Sequence, residues 1–113
     1  MHELPVVQAL LELTLRHARQ AQAQRVLALD LVIGQMSSIV DEAVQFYWDL
    51  LSRGTLAEGA VLRFRRVPAR FRCTTCGHEY GYDGGHLPCP RCASPRVRLV
   101  QGAEFRLEAI EVE

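Results

Sequence analysis

Residues 73–92 read CTTCGHEYGYDGGHLPCPRC and contain all four cysteines of the 113-residue chain. The cysteines form two pairs, Cys73 with Cys76 and Cys89 with Cys92, and two residues separate the members of each pair. Each pair can bend into a turn that directs two thiolates at one tetrahedral metal ion. The sequence therefore predicts a structural zinc ion bound by Cys73, Cys76, Cys89 and Cys92.

The residues next to the cysteines suit such turns. Gly77 follows the first pair, where a residue that tolerates positive φ is favoured, and Pro90 stiffens the second pair. We expect residues 71–100 to lack an apolar core, so zinc, with an apparent binding free energy of about 10–16 kcal/mol, should order them. Four thiolates leave no open position for water, so the ion should be structural and not catalytic.

The cysteine pairs and the neighbouring histidines also allow other interpretations. Cys-x-x-Cys pairs also occur as redox pairs, but neither pair here opens a helix after a strand. His78 lies two residues after Cys76, and imidazole can exchange with thiolate on a metal as pH changes. The simpler alternative is that His78 and His86 are exposed loop residues. We keep His78 as a secondary residue that is linked to the metal.

Composition excludes several classes of function. Thirteen arginines balance thirteen acidic residues and there is no lysine, so the chain has no global positive field for nucleic acid or an anionic membrane. Without lysine it has neither a Walker A loop nor a Schiff-base lysine. No open metal site and no nucleophile beside a base is recognisable. The sequence therefore predicts a protein that is not an enzyme.

The chain also lacks the features of a membrane or exported protein. Its longest apolar run is well below the roughly 18 residues that a membrane span needs, and its start does not resemble a signal peptide. We therefore expect a cytoplasmic location. In that reducing compartment paired cysteines bind metal more often than they form disulfides.

Two amphipathic helices are predicted. Apolar residues recur at helical spacing from Leu4 to about Gln22. A second apolar stripe runs to about Arg53, and Ser37 or Ser38 can cap its start.

Three strands are predicted, one at 25–34 with apolar residues on both faces, and two at 60–67 and 104–112 where apolar and polar residues alternate. We expect the first strand to be central, and chain continuity predicts that the second pairs antiparallel with the third. The predicted fold class is α+β, with two helices packed on a small mixed three-stranded sheet and an inserted zinc-ribbon module. Residues 1–67 and 102–113 are assigned to the α+β domain and residues 68–101 to the module.

The amino terminus offers a second set of metal donors. Met1, His2 and Glu3 supply a primary amine, backbone amides and an imidazole within three residues. Nitrogen donors of this kind suit Ni(II) or Cu(II). Taken alone, His2 is a weak signal, because any residue can occur there and chain termini are commonly solvated.

Met1-His2-Glu3, the segment RGTLAEGA at 53–60, the two cysteine pairs and the ending at 101–113 together resemble the HypA/HybF family across the whole chain. The resemblance implies nickel bound by the Met1 amine, the His2 imidazole and the backbone nitrogens of His2 and Glu3, with zinc on the four cysteines. It implies a nickel metallochaperone that delivers Ni(II), as cargo, for maturation of NiFe hydrogenase. The implied partners are the GTPase HypB and the hydrogenase large subunit, and some family members also serve urease.

Nucleic-acid binding is the competing function. It is suggested by five arginines within ten residues, Arg63, Arg65, Arg66, Arg70 and Arg72. A dedicated binder would carry a basic excess, whereas this chain is neutral and acidic residues of the last strand can pair with these arginines. Those residues are Glu104, Glu108 and Glu111. We therefore expect no nucleic-acid partner.

Overall fold

A computed structural model of the protein describes residues 3–113, and both predicted helices and all three predicted strands are present. The elements are α1 (Glu3–Gln20), β1 (Val26–Gly34), α2 (Asp41–Leu51), β2 (Val61–Val67), β3 (Arg70–Cys73), β4 (Glu79–Gly81), β5 (Val97–Gln101) and β6 (Phe105–Val112). No helix in the described part of the chain has the length and apolar character that crossing a bilayer requires.

The first sheet has the strand order β2-β1-β6, so β1 is central as predicted. At one end of β1 the Glu113 N–H donates to the Arg25 carbonyl, at 2.9 Å. At the other end the Gly34 N–H donates to the Glu104 carbonyl, at 2.7 Å. Strands β1 and β6 therefore run antiparallel.

Strand β2 lies on the other side of β1 and runs parallel to it. The Val26 N–H donates to the Leu56 carbonyl and the Gln35 N–H to the Val67 carbonyl, so residue numbers rise together along both strands. The sheet is thus mixed, which confirms the predicted fold class. The predicted pairing of 60–67 with 104–112 is wrong, because the β1–α2–β2 crossover places β2 beside β1 and leaves β6 the opposite edge.

The second sheet lies in the cysteine region and has the order β4-β3-β5, with both pairings antiparallel. The chain divides into two compact units. The first contains the chain up to Val32 together with 38–65 and 106–113, and the second contains 33–37 and 66–105.

Helical periodicity accounts for the core of the first unit. Helix α1 buries Val7 and Leu10, and helix α2 buries Trp48 completely. Central strand β1 adds Leu29 and Leu31, both at most 1% exposed. Burying a side chain of this size contributes about 1.5–3 kcal/mol, so these residues dominate the stability of the unit.

Helix α2 begins later than predicted. Ser37 and Ser38 precede it, and its N-cap residue is Val40, whose side chain makes no cap hydrogen bond. The Glu3 carboxylate accepts a hydrogen bond from the Val40 N–H at 3.2 Å, across 37 positions of sequence. Because a carboxylate also suits the positive end of a helix dipole, Glu3 of α1 supplies the cap that the local sequence lacks.

A tight turn with two glycines joins α2 to β2. Gly54 and Gly59 have φ values of 78° and 79°, which favour glycine. The Thr55 hydroxyl donates to the Ser52 carbonyl at 2.7 Å and accepts from the Ala57 N–H at 3.1 Å. Ala57 is fully buried. The segment 53–60 is therefore a structural turn that requires small residues at fixed positions.

Candidate metal centre

The four cysteine sulfurs lie together, each within 4.8 Å of the others. The Sγ atoms of Cys73 and Cys92 are 3.5 Å apart, and those of Cys76 and Cys89 are 3.7 Å apart. Four thiolates around a tetrahedral ion with metal–sulfur bonds of about 2.3 Å would be separated by about 3.8 Å. The sulfurs are too far apart for disulfides, and all four cysteines are free. The cluster fits one tetrahedral metal ion.

The first cysteine pair is held by a turn at the end of β3. The Cys73 N–H donates to the His78 carbonyl and the Gly77 N–H to the Cys73 carbonyl, both at 2.9 Å. Gly77 has a φ of 80°, as expected for this turn. The backbone amides of Thr75 and Cys76 donate to the Cys73 Sγ at 3.3 and 3.4 Å. The turn therefore surrounds the first sulfur with N–H donors.

The second pair repeats the same turn. The Cys89 N–H donates to the Ser94 carbonyl at 3.0 Å, and the Ala93 N–H donates to the Cys89 carbonyl at 2.8 Å. The Arg91 N–H donates to the Cys89 Sγ at 3.4 Å. Ala93 occupies the position of Gly77 and has a φ of 63°. Its role was missed from the sequence, where its only signal is its place four residues after Cys89.

These N–H contacts and the closeness of the sulfurs shift the pKa values of the cysteine thiols. The N–H of Cys76 is the main cause that lowers the pKa of Cys73 to about 6. Burial tends to raise the pKa of Cys89, but backbone N–H donors outweigh it and the pKa is lowered. For Cys92 the Ser94 N–H acts to lower the pKa, but the neighbouring sulfurs outweigh it and raise the pKa to about 12. Because four thiolates this close repel one another, a bound cation is required to ionise all four.

Exposure differs between the sulfurs. Cys73 and Cys89, the first residue of each pair, are buried, whereas Cys76 and Cys92 are exposed. The cluster therefore has one side in the protein and one side toward solvent.

The cysteine region has a small apolar core, so the expectation that residues 71–100 lack one is wrong. Phe71 and Tyr80 stack with ring centroids 6.0 Å apart, and they are buried with Ala69, Cys73 and Cys89. Three half-buried side chains pack against this group, those of Tyr82, Val97 and Leu99. The members are scattered along the chain, so no local apolar run revealed them.

The candidate histidine His78 lies beside the cluster without being part of it. Its ring stacks on Tyr80, with centroids 6.0 Å apart and 16° between the planes. The Tyr80 hydroxyl in turn donates to the Leu87 carbonyl. His86 is exposed. The group of metal-binding side chains in residues 3–113 consists of the four cysteines alone.

Of the three predicted terminal donors, Met1 and His2 lie outside the described residues. Glu3 is the first residue of α1 and is only 4% exposed. Its carboxylate is directed at the Val40 N–H. His17, on the same helix, is exposed.

The arginine cluster that suggested nucleic-acid binding is largely paired with acidic residues. The ion pairs are Arg63 with Asp30 and Glu111, Arg65 with Glu108, and Arg72 with Glu79. Glu108 and Glu111 thus act as predicted. Exposed pairs of this kind contribute little to stability, so their main effect is to neutralise the surface.

The fold and the site define a small α+β protein that carries a four-cysteine metal-binding module. The family model described as "Hydrogenase/urease nickel incorporation, metallochaperone, hypA" matches residues 1–112. The chain therefore belongs to the HypA family. Members of this family are metallochaperones and not enzymes, and they act in the hydrogenase maturation machinery.

Individual relatives are similar to this chain over its full length. The chain is 39% identical to hydrogenase maturation factor HypA of Dehalococcoides mccartyi, covering 100% of this chain and 95% of the relative. It is 41% identical to the HypA of Geobacter metallireducens, covering all of both chains. The solution structure of the nickel metallochaperone HypA from Helicobacter pylori is similar with a TM-score of 0.73 and 26% identity, over 99% of this chain and 97% of that one. A second HypA solution structure gives a TM-score of 0.77.

Proposed function

We propose that the chain carries Ni(II) for the maturation of NiFe hydrogenase and holds a structural zinc ion on Cys73, Cys76, Cys89 and Cys92. The observation that carries the proposal is a cluster of four cysteine sulfurs, each within 4.8 Å of the others, in a chain that matches a nickel-incorporation family over residues 1–112. The structural zinc ion and the Ni(II) cargo need different sites, because a structural ion must stay bound whereas cargo must be released.

Zinc suits the sulfur cluster for two reasons. Soft thiolates in a closed tetrahedral arrangement favour Zn²⁺, and a closed site has no position for exchangeable ligands. The surrounding charge also fits. Segment 66–105 has six arginines but only three acidic residues, Glu79, Asp83 and Glu104. Zinc with four thiolates carries a net charge of −2, which this basic excess offsets without any need for nucleic acid.

Nickel is assigned to the amino terminus, with the Met1 amine, the His2 imidazole and the backbone nitrogens of His2 and Glu3 as donors. Nitrogen ligands in a flat arrangement suit Ni(II) and differ in kind from the thiolate cluster. The Glu3 carboxylate is buried against the Val40 N–H. Glu3 would therefore contribute its backbone nitrogen and not its side chain.

Each of the two metal sites is assigned to a different part of the chain. Residues 1–67 and 102–113 would carry nickel, and residues 68–101 would form the zinc module. The partners would be the GTPase HypB and the hydrogenase large subunit, with urease maturation proteins as a second destination. The protein would work in the cytoplasm without nucleic acid or membrane.

Nickel titration of protein with its native terminus tests the cargo site. His2→Ala, or an extension that blocks the Met1 amine, should abolish nickel binding and leave zinc content unchanged. His17→Ala is the matched control, because His17 is an exposed histidine on α1. Nickel binding by His2→Ala with native affinity would show that the donor set is wrong.

Zinc analysis and amide exchange test the sulfur site. Cys73→Ala should lose zinc and lose exchange protection in residues 71–100, because Cys73 joins β3 to the cluster. His86→Ala should keep both, and His78→Ala, measured across pH, tests whether its imidazole exchanges onto the metal. Full zinc content with intact protection in Cys73→Ala would contradict the assignment.

A further inference from the structure

The two cysteine turns place an exposed sulfur of each turn against a buried sulfur of the other. Cys76 is exposed, and its Sγ lies 3.7 Å from the Sγ of the buried Cys89. Cys92 is exposed, and its Sγ lies 3.5 Å from the Sγ of the buried Cys73. We call Cys76 with Cys89 and Cys73 with Cys92 the cross-turn pairs. In each cross-turn pair, one sulfur can meet a reagent from solvent and the other lies next to it inside the protein.

The surroundings of the cross-turn pairs favour the thiolate form, which is the form that reacts with oxidants. Arg91 and Arg96 precede and follow Cys92 in the chain and both are exposed. Neither arginine forms an ion pair with any of residues 3–113. The Arg96 carbonyl also accepts hydrogen bonds from the Thr74 N–H at 2.8 Å and the Thr74 hydroxyl at 2.9 Å. Arg96 is therefore anchored to the first turn while it follows the second.

We infer that hydrogen peroxide oxidises the cross-turn pairs to disulfides and thereby releases the bound metal ion. The exposed thiolate attacks one peroxide oxygen, the O–O bond breaks, and the sulfur becomes a sulfenic acid while hydroxide leaves. The buried thiolate of the same pair then attacks this sulfur, forms the S–S bond and expels a second hydroxide. Solvent protons convert both hydroxides to water. Each pair thus loses two electrons, and one peroxide molecule is reduced to two molecules of water.

Oxidation of one cross-turn pair removes two of the four sulfur ligands. Two thiolates hold a zinc ion far more weakly than four, so the ion is released. The new disulfide still joins the first turn to the second, so the small core around Phe71 and Tyr80 stays assembled and reduction restores the site. A disulfide within one turn would leave the two turns unconnected. The inference rests on the proposed function in one respect, because the released ion is the zinc ion proposed there.

Zinc release and disulfide mapping on the zinc-loaded chain test the inference. Equimolar hydrogen peroxide should release the zinc to a chromogenic chelator, and a thiol reductant with added zinc should restore the original content. Cleavage after arginine and glutamate places the cysteines on peptides 73–79, 80–91 and 92–96. Mass spectrometry should find 73–79 joined to 80–91 through Cys76 and to 92–96 through Cys73, and fragmentation of 73–79 identifies the joined cysteine.

A charge variant tests the influence of the surroundings. Replacing both Arg91 and Arg96 by glutamate should slow zinc release by peroxide by at least about threefold, because positive charge near the thiolates is lost. Arg16→Glu is the matched control, because Arg16 is exposed on α1 in the first unit, and it should release zinc at the native rate. An unchanged rate in the double variant would contradict the argument from charge.

Three results would overturn the inference. Zinc could stay bound in the presence of peroxide, the cysteines could be carried to sulfinic acids without a disulfide, or the disulfides could lie within the turns. In that last case 73–79 would be closed on itself and 80–91 would be joined to 92–96. Zinc content measured before oxidation keeps the two proposals apart. A chain that holds stoichiometric zinc but fails these tests overturns the oxidation site alone, whereas a chain without zinc overturns the zinc site as well.

Discussion

Gly34, the last residue of β1, lies directly against the backbone of another glycine. A Cβ atom on Gly34 would sit 2.0 Å from the Gly102 carbonyl oxygen and 2.7 Å from the Ala103 nitrogen. Gly102 is itself packed closely against Ala69, since a Cβ built on Gly102 would lie 2.6 Å from the Ala69 Cα. Its carbonyl also accepts a hydrogen bond from the Met36 N–H at 2.8 Å. An alanine at position 34 therefore forces backbone to move.

Gly34→Ala should lower the free energy of unfolding by about 1–3 kcal/mol, the range for overpacked sites. For a chain of this size each kcal/mol corresponds to a shift of about 4–8 °C in Tm. Urea and thermal unfolding of the zinc-loaded protein, followed by circular dichroism, measure both. Gly81→Ala is the control, because a Cβ there has its nearest neighbour, an Arg70 side-chain nitrogen, at 3.7 Å. Native stability in Gly34→Ala, or an equal loss in Gly81→Ala, would refute the reasoning.

Two further predictions concern the cysteine turns and the sheet. Ala93→Gly should stabilise the second turn by up to about 1 kcal/mol. Ala93 has a positive φ of 63°, and glycine adopts this backbone conformation without the steric strain of a Cβ atom. Gly77→Ala should weaken the first turn by a similar amount, and thermal unfolding compares the two. Hydrogen bonds from Arg65 and then Arg106 lower the pKa of Glu108. Its stabilisation is therefore present above the pKa of the unfolded state and is lost as pH falls through the folded value. Arg65→Ala should raise that pKa in an NMR titration.

Each of these predictions has a clear contrary outcome. If Gly77→Ala left unfolding unchanged, the left-handed backbone would not be the reason for glycine in that turn. If the pKa of Glu108 were the same with and without Arg65, the ion pair between Arg65 of β2 and Glu108 of β6 would not form in solution.

Features set by local sequence were predictable. The spacing of the four cysteines predicted a shared site, because two short turns bring each pair together whatever the rest of the chain does. Periodicity located α1, β1 and β2 to within a few residues, because burial on one face repeats every 3.6 or 2 residues, roughly. The central position of β1 followed from its apolar residues on both faces.

Features set by distant contacts were not predictable. The start of α2 depends on Glu3, which caps Val40 from 37 residues away, while Ser37 and Ser38 offered a plausible local cap that is not used. The neighbours of β1 depend on a crossover, which chain continuity alone does not reveal. The small core around Phe71 is assembled from separate strands, so composition underestimated it.

The nickel content of the hydrogenase large subunit, purified from cells that express variants of this chain, is the most direct test of nickel delivery through His2. Cells with the native chain or with His17→Ala should yield nickel-loaded, active hydrogenase. Cells with His2→Ala should yield a large subunit depleted of nickel, although the variant keeps its zinc and its fold. A large subunit loaded with nickel to the native level in the His2→Ala cells would contradict the account.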